Sequence, residues 1–452
     1  MRSLMRSLFH NNGHNKKHNK EGNVNNKNNT LLYKLIYTEI PEGFTHKWVR
    51  PVSIIWGVAT AALLYGLLFL FGSLEEFETF YYFLDTPEKE PLLYLLFLVT
   101  FLGVAFRAYF AVASITQHDE HVGIVLEDRY VTFVISSVIM QNILMGVVTL
   151  FVGLSLFALG YSAFGAFELT FISEFFQRVV DGVPTLVQLS YWPALIVTYL
   201  VITLSEYGWH RMGHESRLLW LLSHRPHHIS TTLCSATVVE ADPAFPLGLL
   251  WKAIAIALIG SVVAKLFHDG NVFFVELAIL RIGWGISEIF NHTSAFYDRI
   301  LKNRWVYPIM TFFGSGPYHV LHHSSLPEHT VANLGGGVFL LWDRVFGTYF
   351  KPTEKIPPLG LTNQPDIYLN PLNMALSGLL QIVYELKNNK GFVVRFKILF
   401  GGVFYAPPIS KSFIKKPLLP EKEVGVDTDF VSDSIDISMI ESANKMTIVE
   451  PS

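Results

Sequence analysis

Apolar residues in this chain fall into long runs separated by short polar links, and the lengths of those runs predict helices that cross a bilayer. A membrane-spanning helix needs about 20 mostly apolar residues. Four such runs precede residue 206, at 52–72, 92–115, 131–160 and 184–205. The third is long enough to tilt or break, and Gln141 and Asn142 interrupt its middle. Two more runs, 244–266 and 272–290, flank the polar link His268–Asn271, a pattern that predicts a helical hairpin. The expected fold is all-α: a polytopic helical membrane protein of four to six spans, the third or sixth run being able to lie in the interface instead.

Composition agrees with that pattern. Hydrophobic residues make up 51% of the 452, charged residues only 16%, and the mean hydropathy is +0.36, too apolar for an ordinary soluble chain of this length. A net charge of −3 excludes a nucleic-acid binder, which needs a basic surface to displace counterions from phosphates. The single cysteine, Cys234, excludes an internal disulfide framework and a thiolate metal site, leaving histidine and carboxylate as metal ligands. Residues 1–50 hold nine Lys/Arg against three acidic residues, whereas 73–90 hold six acidic residues and one lysine. The positive-inside rule therefore puts the amino terminus in the cytoplasm, and four crossings return the chain to that side just before His210. A hairpin at 244–290 crosses twice or dips and returns, so the chain re-emerges on the same face near His292.

The histidines then stand out. Of seventeen, nine lie between residues 210 and 323 in a repeating form: HRMGH (His210, His214), HRPHH (His224, His227, His228), NH (His292) and HVLHH (His319, His322, His323). Positions i and i+4 share one helix face, so His210 and His214 can face one ion. In HxxHH the first and last residues share a face and the middle one lies at i+3, which gathers three imidazoles within about one turn. Eight box ligands exceed the four that a tetrahedral zinc accepts, so the count favours two ions. Imidazoles with open positions and no thiolate suit non-haem iron handling dioxygen. A lone buried histidine is usually a packed core residue, but so many rings beside a bilayer without a shared ion would leave donors and acceptors unsatisfied. His292 on its own could equally cap a helix. His268 and His329 fall outside the repeating form, and His10, His14 and His18 sit in an Asn-rich tract that reads as a solvated tail.

The three boxes, the intervening NH and the segment NLGGGVFLLWDRVFGTYFKP resemble the fatty acid hydroxylase and sterol desaturase superfamily of integral-membrane di-iron oxygenases, over roughly residues 190–370. The first box, WHRMGHE, is similar to the alkylglycerol monooxygenase branch. The resemblance implies a helical membrane anchor topped by a cytoplasmic cap. It also implies two iron ions, with zinc possible as isolated, held by His210, His214, His224, His227, His228, His292, His319, His322 and His323. The implied chemistry is hydroxylation or desaturation of a C–H bond in a lipid, whether sterol, fatty acyl chain or ether lipid, with dioxygen as co-substrate. Carboxylates near the boxes, Glu206, Glu215, Glu240, Asp242 and Asp343, are expected to orient the imidazoles by accepting their free N–H groups. One departure is Asp242-Pro243, where sterol-type members often have His-Pro.

The expected organisation is a disordered basic tail and lead-in at 1–50, a transmembrane region at 51–183, a catalytic domain at 184–370, a membrane-associated segment at 371–417 and a disordered acidic tail at 418–452. No dinucleotide fingerprint, P-loop or fused cytochrome b5 motif occurs, so electrons are expected from a separate reductase or a carrier such as cytochrome b5. The expected location is the endoplasmic reticulum in a eukaryote or the inner membrane in a bacterium. Two other classes compete. A histidine-rich metal transporter would place ionisable residues within the span interiors, where only Arg107, Lys252, Glu276 and Arg281 occur, Lys265 and Glu288 lying at the run ends. A membrane zinc hydrolase would carry fewer ligands and a base, and HExxH is absent.

Overall fold

The computed structural model describes most of residues 178–413, apart chiefly from 230–258 (where only Leu233 is described), 270–272 and 362–369, together with a few isolated positions nearer the amino terminus. The expected runs at 52–72, 92–115 and 131–160, both tails, Glu240 and Asp242 lie outside the described residues but for those isolated positions. Among the described residues every regular element is helical; the only β pairings are isolated bridges, Ser216 with Gly402 and Ser324 with Leu359.

The longest helix is α1, Tyr191–Glu215. Its first four turns are apolar and pack Ala194, Leu195 and Ile202 against Ala264, Phe273 and Leu277. These last belong to α4 (Gly260–Phe267), the residue before α5, and α5 (Phe274–Ser287), the two helices that flank the polar link. Beyond α1 come the single turn α2 (Arg217–Leu219), a π-helical stretch at Trp220–His224, and α3 (Arg225–His228). Further on are α6 (Tyr297–Lys302), α7 (Val306–Phe313), α8 (Pro317–His322) and α9 (Leu341–Phe346), then the long α10 (Pro371–Asn388) and α11 (Phe392–Phe400).

Among the described residues no helix is long and apolar enough to cross a membrane. The run expected at 184–205 coincides with a helix only in part. Residues 184–190 are not helical, and α1 continues past Leu204 through Glu206, His210 and His214, so polar site residues occupy its last two turns. α5, at 14 residues, is shorter than the run 272–290 that contains it. Two ionisable residues of the run 272–290 are paired within the protein: Glu276 accepts a 2.6 Å hydrogen bond from the Tyr191 hydroxyl, and Arg281 meets Glu206 at 2.8 Å.

A second core clamps the π stretch from the carboxyl-terminal side. Leu221 packs with Ile382 of α10 and Ile398 of α11. Gly378 makes this approach possible, because a Cβ there would lie 1.8 Å from the Leu221 carbonyl oxygen. Glycine is the one residue that lets the α10 backbone come so near. The first core thus holds the early turns of α1, and the second holds the segment around Leu221 that follows it.

Candidate metal centre

Each histidine box rides on the local structure that its spacing predicts, with one addition. His210 and His214 lie one turn apart on α1, with ring centroids 5.3 Å apart. The second box straddles the junction of the π stretch and α3, where Pro226 occupies the second position of the new helix. The third box forms the last turn of α8 and the residue after it, entered through Pro317 and the positive-φ Gly316. His292 follows Asn291 in a turn, and Asn291 Oδ1 accepts the Gly316 N–H at 2.9 Å, which ties that turn to the start of α8.

The nine histidines named from the sequence converge into two groups. His210, His214, His224, His228 and His322 form one, and His227, His292, His319 and His323 the other; within each, one ligand atom per residue lies within 4.8 Å of all the rest. Each HxxHH box is therefore divided. In the second box the outer pair, His224 and His228, joins the first group and the middle ring, His227, the second; in the third box the outer pair, His319 and His323, joins the second group and the middle ring, His322, the first. The shared face of i and i+4 accounts for each outer pair, and the roughly 100° step between neighbouring residues turns the ring at i+3 away.

Nε2 atoms face inward. In the first group Nε2 of His224 lies 2.7 Å from that of His214 and 3.1 Å from those of His210 and His228, and His214 and His322 are 3.3 Å apart. In the second, Nε2 of His292 lies 3.3 Å from that of His227 and 3.1 Å from that of His323, which is 3.1 Å from His319. A neutral imidazole offers one donor and one acceptor, so rings that converge on Nε2 while Nδ1 already donates, as in His210 and His322, cannot satisfy one another pairwise. A cation can: nitrogen ligands at about 2.0–2.1 Å from a tetrahedral ion lie about 3.3 Å from each other. The donor set thus fits a metal ion in each group.

Electrostatics keeps the rings ready for that role. Burial, reinforced by neighbouring imidazoles, holds His214, His224, His228, His319, His322 and His323 well below the ordinary histidine value, so they are neutral at pH 7. Orientation in the first group comes from the backbone. Nδ1 of His210 meets the Leu334 carbonyl, Nδ1 of His322 meets the Ala332 carbonyl at 2.8 Å, and the Thr330 backbone acts likewise on His214. Three alternate residues of one short segment thus form a carbonyl rail that keeps a proton on each Nδ1 and a lone pair on the inward Nε2.

The rail has its own supports. Asn333, at φ 49°, bonds Tyr318 and Phe350 through its side chain. An asparagine tolerates that left-handed backbone better than most residues. Asp343 is fully buried and accepts 2.7 Å bonds from the Leu334 N–H and the Thr348 hydroxyl. Burial raises its carboxyl to about 7 despite those bonds. Trp342 bonds Thr203 and Arg344 covers the Tyr349 ring, so this run fastens the segment to its surroundings.

Of the carboxylates expected to accept imidazole protons, the three among the described residues are placed otherwise. Glu206 pairs with Arg281, Glu215 pairs with Arg211 at 2.9 Å on an exposed face, and Asp343 acts one step removed, through Leu334. Backbone carbonyls take the place proposed for them, because closeness in sequence along α1 points those side chains to other faces. His268 and His329 bond Leu189 and Ser324 respectively, away from both groups. Sequence reasoning missed a buried clasp on the second box. Arg217 donates to Glu385 at 2.8 Å and to the Ile398 and Tyr405 carbonyls, while Arg225 donates to Gln381 and Ser377. Arg225 stands inside the box itself, the one local sign that the box needed a partner.

An all-helical scaffold with nine imidazoles in two ligand-spaced groups defines a protein built around a paired nitrogen-ligand centre. The fatty acid hydroxylase family model matches residues 195–348, which span all nine histidines and the rail. Alkylglycerol monooxygenase of Homo sapiens is 22% identical over 213 residues, 46% of this chain and 42% of that protein. The Xenopus tropicalis protein of the same name is 23% identical over 214 residues, 47% and 42% of the two chains, and that of Danio rerio 24% over 162 residues, 35% and 31%. These matches support the resemblance to the fatty acid hydroxylase superfamily, near the alkylglycerol monooxygenase branch, that the boxes implied. The chain aligns to less than half the length of those relatives. No solved structure matches it.

Proposed function

We propose that this protein is an integral-membrane, dioxygen-dependent lipid oxygenase whose two imidazole groups each hold an iron ion. The observation that carries the reading is the division of nine histidines, five buried and four half-buried, into two sets with ligand atoms within 4.8 Å. Iron held by these residues would activate dioxygen, the oxidant, toward an unactivated C–H bond once an external donor has supplied electrons. The chain's own share is different. The carbonyl rail fixes which nitrogen of His210, His214 and His322 carries the proton, and the burial of six rings keeps them unprotonated and free to ligate without releasing protons. The same burial excludes water from the centre. The apolar runs of the sequence supply a bilayer setting from which a lipid tail reaches the site sideways. The name shared by the relatives favours hydroxylation over desaturation and an ether lipid over a sterol. Electrons come from a separate donor docking on the cytoplasmic face.

Metal analysis of the purified protein with an assay on a glycerol ether lipid tests this. Two irons per chain, with oxygen-dependent product lost in His227→Ala while membrane insertion persists, is the expected result. One zinc with hydrolytic activity, or dissociable zinc with flux across vesicles, would replace the oxygenase with a hydrolase or a transporter.

A further inference from the structure

Helix α11 turns outward a face that none of its neighbours covers. Phe392, Phe396 and Phe400 follow one another at i, i+4 and i+8, with ring centroids 6.0 and 5.1 Å apart. They are 82%, 50% and 63% exposed, and Val393 and Phe404 beside them 63% and 62%. The opposite face is fully used: Ile398 is completely buried and packs on Leu221. Rotation that would hide the phenylalanines is opposed, because the carboxyl-terminal end of the helix is tied down. Arg217 N–H donates to the Gly401 carbonyl, Val403 N–H donates to that of Glu215, and Arg217 also holds the Ile398 carbonyl.

Charge specifies the occupant. Residues 386–416 contain seven basic residues, Lys387, Lys390, Arg395, Lys397, Lys411, Lys415 and Lys416, and no acidic one. At about 100° per residue, Arg395 and Lys397 fall on either side of the phenylalanine stripe, and both are exposed. Aromatic rings on one face flanked by Lys/Arg is the pattern of a helix lying in a membrane interface, its apolar face about 5–10 Å into the headgroup and acyl boundary. An acidic protein partner would answer the lysines but not a stripe of exposed rings, since transient electron-transfer contacts are small. Orientation from the positive-inside rule puts this helix on the cytoplasmic side, where the anionic lipids are.

We infer that α11 lies in the plane of an anionic leaflet, its Phe392–Phe396–Phe400 stripe inserted among the acyl chains and its basic flanks on the headgroups. The inference rests on the membrane setting of the proposed function and not on its chemistry. The test uses the full chain with Cys234→Ser and a single new cysteine, Phe396→Cys, carrying an environment-sensitive fluorophore. The protein is reconstituted into phosphatidylcholine vesicles with and without phosphatidylserine, and a label at exposed Glu354 serves as the aqueous reference. The expected result is a blue-shifted emission at position 396, quenched by brominated acyl chains and shielded from iodide, more so with phosphatidylserine. Arg395→Gln with Lys397→Gln should abolish the phosphatidylserine dependence. Equal iodide quenching in detergent and vesicles overturns the inference. So does protection that needs no lipid, whether it disappears on dilution, which marks a second copy, or persists, which marks another segment of this chain. Lipid turnover measured on the same vesicles separates the two readings: a buried label without turnover sinks the oxygenase alone, and turnover with an iodide-quenched label sinks the interfacial helix alone.

Discussion

The two histidine groups are built from the same repeated motif but are held in different ways. The five-ring group leans on backbone, with the carbonyls around residues 330–334 accepting from His210, His214 and His322. It is also clasped from outside, where Arg217 and Arg225 donate to Glu385 and Gln381 of α10. In the four-ring group, Nδ1 of His323 is buried with no hydrogen-bond partner among the described residues. Its rings face a neighbour mainly through Nε2, as between His292 and His323. The difference is one of support: a backbone rail and an arginine clasp brace the five-ring group, while the His323 ring of the four-ring group has neither.

The largest expected effect removes that contrast. His214→Ala in the first group and His323→Ala in the second should each abolish product formation, measured as oxygen-dependent lipid turnover, with metal content falling in both. Turnover persisting in either variant would leave that group without a role in the chemistry.

Acid should separate the halves next. The six depressed rings are neutral when folded, and the unfolded chain takes up protons on them as pH falls below the ordinary value of 6.5. Stability is therefore full above that pH and is lost on acidification, because the unfolded state binds more protons. Four of those rings, His214, His224, His228 and His322, belong to the first group and two, His319 and His323, to the second. A pH titration of metal content should show the first group releasing its ion more steeply.

Loosening the support of one half should be milder. Asp343→Asn weakens the hold on Leu334 and should lower metal affinity of the first group by about 10–100-fold, leaving the second nearly unchanged. Equilibrium dialysis would show it as loss of one ion of two. Gly378→Ala forces a Cβ onto the Leu221 carbonyl; overpacking of this kind costs about 1–3 kcal/mol, and a thermal melt should register it. The smallest effect belongs to Glu215→Gln, whose ion pair with Arg211 is exposed and is worth about 0–1 kcal/mol; a measurable loss of metal there would restore Glu215 to the centre.

How much of this was legible in the sequence follows from what kind of group does each job. The boxes were legible because imidazoles are identifiable residues at helical spacing, and the pairing of His224 with His228 and of His319 with His323 follows from the i, i+4 rule alone. The rail was not, since a carbonyl carries no residue identity and Thr330, Ala332 and Leu334 look like ordinary loop positions. Glu206 and Glu215 misled for the converse reason: they sit beside the first box in sequence but on other sides of α1. The clasp joins Arg217 to Glu385, 168 residues away, a distance at which no local pattern speaks. The π stretch before His224 leaves no mark either, because a shift in hydrogen-bond register changes no side chain.

Since the residue count inside each box decides which ion a ring serves, length is guarded more tightly there than identity. One residue inserted between His224 and His227 would swing the following rings by about 100° and hand them to the wrong partner, scrambling both halves at once. Substitutions around the centre can drift; insertions and deletions within a box have nowhere to go.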